Sequence, residues 1–69
     1  MKGVQKMYLI KVSVKSLTLN KIVRHEYIPF ASEWAAKYQA LEYCRCNDVA
    51  AVTVINKFTG ELIFWWVEE

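Results

Sequence analysis

Ala51-Val52-Thr53-Val54-Ile55-Asn56-Lys57-Phe58-Thr59-Gly60-Glu61-Leu62-Ile63-Phe64-Trp65-Trp66-Val67 is the stretch that decides the fold. Two β-branched and aromatic runs flank a short polar break that ends in Thr59-Gly60, the pattern of a hairpin closed by a type I turn and a left-handed glycine. Both runs are apolar at consecutive positions. Successive strand residues point to opposite faces, so Trp65 and Trp66 lie on opposite sides of the sheet and both sides call for cover.

Turn geometry assigns the two faces. With Phe58-Thr59-Gly60 as the loop, Lys57 meets Glu61, Ile55 meets Ile63, Thr53 meets Trp65 and Ala51 meets Val67. The other face, Val52, Val54, Leu62, Phe64 and Trp66, is uniformly large and apolar and is the expected core. Ile55, Ile63, Trp65 and Val67 are then left as an apolar face turned away from it, the candidate surface for contact with a partner. A slip of one residue would exchange the two sets.

Working upstream, Tyr8, Ile10, Val12 and Val14 alternate with Leu9, Lys11, Ser13 and Lys15, the period-2 pattern of a half-buried strand. Ser16 to Asn20 reads as a hairpin loop. Lys21 to Ile28 reads as a second strand, stopped by Pro29, which lacks the N–H a ladder needs. Ser32 can cap a helix and Glu33 sits well in its first turn. The helix is expected from Glu33 to about Cys46, with Asn47-Asp48 ending it, since Asn tolerates the left-handed conformation found at helix ends. The order is ββαββ. An α+β fold follows: a four-stranded antiparallel sheet of two hairpins, with one helix packed on one face.

The helix carries two apolar stripes. At about 100° per residue, Trp34, Tyr38 and Leu41 share one side, while Ala36, Ala40, Tyr43 and Cys44 share the other. Burial area favours docking the large stripe on the sheet, and that is the expected arrangement. Close backbone approach would favour the alanines. Either choice leaves an aromatic side chain facing outward.

Sixty-nine residues make a single domain, 1–69, with a thin core, and residues 1–5 are expected to be loosely ordered. A composition 55% hydrophobic and 14% aromatic excludes a disordered chain. The apolar run Met7-Tyr8-Leu9-Ile10 is stopped by Lys11, so neither a membrane span nor a signal-peptide core is expected. Two cysteines are too few for a disulfide scaffold and agree with a reducing, cytoplasmic compartment.

Net charge is +2, unevenly spread: residues 1–30 hold six basic and one acidic residue, residues 31–69 three basic and six acidic. Such polarity can steer an acidic partner to the first half. Nucleic acid is therefore the alternative partner, with Lys11, Lys15, Arg24, His25 and Tyr27 as the contacts, although an isoelectric point of about 8.6 is modest for that role and no stacking motif is present.

Chemistry-bearing patterns are sparse. Cys44-Arg45-Cys46 looks like half of a thiolate metal site, but residues two apart on a helix diverge by about 200°, and His25 is the only histidine. No motif places a nucleophile beside a base, and no glycine-rich loop could cradle a phosphate. No catalytic residue, cofactor, metal or small-molecule substrate is expected. Over residues 31–67 the succession of Ala-rich helix, β-branched strand, Thr-Gly turn and aromatic strand resembles small bacterial and phage proteins, which implies an accessory or inhibitor protein rather than an enzyme. The reading that fits best is a small interaction module, a homodimer or a protein that docks on a larger one, through the apolar sheet face.

Overall fold

The structure, a computed structural model, describes residues 7–68, so the expectation for residues 1–5 lies outside it. Four strands and a helix follow in the order β1 (Tyr8–Ser16), β2 (Lys21–Phe30), α1 (Glu33–Tyr43), β3 (Val49–Asn56) and β4 (Leu62–Val67). All neighbours pair antiparallel, and the sheet order is β2-β1-β3-β4. The two hairpins therefore join along β1 and β3, and β2 and β4 form the edges.

That order explains why β2 runs past its expected end. Pro29 stands opposite Leu9 inside the strand. An edge strand has one side free of ladder bonds, so the missing N–H costs nothing there. The chain continues to Phe30, whose carbonyl accepts from the Met7 N–H at 3.1 Å.

The loops are closed by side chains acting on backbone. In the first, Ser16 Oγ accepts from the Leu19 N–H at 3.0 Å, and Asn20 takes a positive φ of 57°. The left-handed asparagine thus lies here rather than at Asn47. In the second, Asn56 Oδ1 accepts from Phe58 and Thr59 N–H groups at 2.9 and 3.2 Å, and Gly60 has φ 77°. Asn56 also pairs with Glu61 through the Glu61 carbonyl at 2.9 Å, which makes the loop four residues, Lys57 to Gly60, one longer than expected.

A bulge on β4 absorbs the extra residue. Ile55 faces Leu62, the register shifts, and from Val54–Phe64 onward the pairs run as expected, with Thr53 opposite Trp65 and Ala51 opposite Val67. Bulges re-aim side chains. Ile63, expected on the outer face, is half-buried against the core, while Leu62, expected in the core, is exposed opposite Ile55.

The helix begins as expected, with Ser32 Oγ accepting from the Ala35 N–H at 3.2 Å. It ends at Tyr43, three residues before Cys46. There Arg45 and Cys46 N–H groups turn back to the Glu42 and Tyr43 carbonyls at 3.2 and 3.0 Å, tightening the last turn. Its docking side reverses the expectation from burial area. Ala36 and Ala40 are fully buried with Ile10, Val12, Val52 and Val54, and Trp34 is 73% exposed. Methyl-sized side chains let the helix backbone approach the sheet, so the valines and isoleucine of two central strands lose contact with water completely. A stripe of Trp and Tyr would hold the helix farther off.

Candidate functional site

The side of the sheet away from the helix carries the candidate surface. Pairing registers lay it out in rows across β2, β1, β3 and β4: Pro29–Leu9–Ile55–Leu62, then Tyr27–Lys11–Thr53–Trp65, then His25–Ser13–Ala51–Val67. Lys11 is the one residue of the twelve with a permanent charge. Trp65 is 64% exposed and Tyr27 57% exposed, so an uncovered aromatic ring stands on each edge strand in the same row. The loop residues Leu17 and Leu19 are themselves exposed, and although Leu17 lines one cleft with Trp65 it leaves that ring largely open.

Of the residues expected to meet a protein partner, Ile55, Trp65 and Val67 share this face, and Leu62 takes the place expected for Ile63. Tyr27 joins them. Sequence spacing alone could not put it there, because its row depends on β2 pairing with β1 and β1 with β3.

The residues considered for nucleic acid are not brought together. Lys11, His25 and Tyr27 lie on the open face, whereas Arg24 is opposite Val14 and projects on the helix side, where its Nε donates to Glu26 Oε2 at 2.9 Å. Lys15 is ion-paired with Glu68. Two of the four candidate cations are thus held by carboxylates, and the two that face outward with Tyr27 are a lysine and one histidine.

His25 Nδ1 lies 2.9 Å from Ser13 Oγ, a serine–histidine pair that no sequence motif singles out because the two are twelve residues apart. Ser13 is the buried polar residue of the sheet and this bond satisfies it. As a nucleophile and base the pair is incomplete. The adjacent Glu26 points to the other face, where it binds Arg24, and cannot orient the ring. Ser13 sits on a strand paired on both sides, so backbone N–H groups nearby serve the ladders rather than converging on an oxyanion. What the pair does is pin the imidazole against the sheet.

The cysteines are a similar case. Cys44 is half-buried and packs against the core, and Cys46 is exposed. Burial, and secondarily the neighbouring Cys46, push the Cys44 thiol above its ordinary pKa, which disfavours the thiolate that metals and electrophiles need. Among the described residues, no three histidine, cysteine or acidic side chains group closely enough to hold an ion. An open cleft of about 800 Å³ runs past both cysteines, Leu17 and the end of β4, and a second of about 480 Å³ lies over Trp34, Tyr38 and Leu41 on the helix. No helix among the described residues is long and apolar enough to cross a membrane.

No protein-family model, no curated protein and no solved structure matches the chain.

Proposed function

We propose that this protein is a non-catalytic interaction module that self-associates through the open face of its sheet. The observation that carries this reading is Trp65, nearly two-thirds exposed on the edge strand of a face whose other residues are almost all apolar or uncharged. Small soluble monomers seldom keep such a surface in water, because each exposed apolar square ångström costs about 25 cal/mol. A two-fold axis is the simplest way to cover it, since one patch then buries itself twice. Trp65, Ile55, Val67 and Leu62 supply the apolar area. The nucleic-acid alternative is weakened by the ion pairs at Lys15 and Arg24.

Light scattering across a concentration series tests the reading. The expected mass is that of two chains at high concentration, falling to one on dilution, and Trp65→Glu is expected to stay folded and monomeric throughout. A wild-type protein that remains monomeric at millimolar concentration would remove the proposal.

A further inference from the structure

We draw no further inference here: the strongest candidate, the apolar sheet face away from the helix that carries Trp65 and Tyr27, belongs to the surface already described, and nothing in the structure shows what covers it.

Discussion

Both faces of this sheet carry large apolar side chains, and those side chains meet opposite fates. Under the helix, Ile10, Val12, Val52 and Val54 are sealed from water by the close approach of two alanines, with Phe30, Tyr43, Phe64 and Trp66 packed around them. On the other side Trp65, Tyr27, Val67 and Leu62, which offer more apolar surface, have nothing over them. Burial here is decided by what can come close, and not by how much area a side chain has to lose. A small residue on the covering element makes a tight lid; a large residue with no covering element remains exposed.

The sharpest way to break this contrast is to remove volume from the covered face. Ile10→Ala leaves a cavity between two central strands and the helix, and such changes cost about 2–5 kcal/mol. A domain of this size has little more than that in total. The expected outcome of urea denaturation is a variant at or past the edge of unfolding in the absence of denaturant. The folding of Trp65→Glu, on the open face, supplies the contrast. If Ile10→Ala lost less than about 1 kcal/mol, the face under the helix would not be the one that holds the fold.

A smaller effect tests the lid itself. Ala40→Leu adds apolar volume where the helix touches the sheet, so an account based on area alone predicts a gain. Close packing predicts a loss of about 1–3 kcal/mol, because the helix must lift or the leucine must leave its preferred rotamer. Denaturation midpoints of Ala40→Leu and wild type decide between them, and a more stable variant would show that the sheet–helix gap has room to spare.

Much of this is legible in the chain and some is not, for identifiable reasons. Strand alternation, the Ser32 cap and the break before the last strand are local, and they put all five elements in the right order. The pairs Thr53–Trp65 and Ala51–Val67 match the expectation from a three-residue turn because a bulge offsets the one residue by which the loop is longer. At the hairpin tip, however, the side chain of Asn56 closes a longer loop, and the bulge that repairs the register exchanges Leu62 and Ile63 between the faces. Pro29 looks like a strand terminator because nothing local says that β2 is an edge. The row that sets Tyr27 level with Trp65 depends on three strand pairings at once, and the choice of the alanine stripe depends on a distance between elements. Patterns within one element carry neither.

The helix provides the last test, on the smallest scale. Trp34 and Tyr38 stack at 5.6 Å between ring centres with planes 9° apart, on the outward stripe that area arguments would have buried. Pairs four residues apart on an exposed helix face contribute about 0.2–0.5 kcal/mol. Trp34→Ala removes that stacking but puts a better helix former in its place, and the two effects nearly cancel. The expected change in unfolding free energy is therefore below about 0.5 kcal/mol, an order of magnitude under Ile10→Ala although tryptophan is much the larger side chain. A loss above about 2 kcal/mol would mean that this stripe is covered after all, and the lid would then have to be sought on the helix's outer side as well as its inner one.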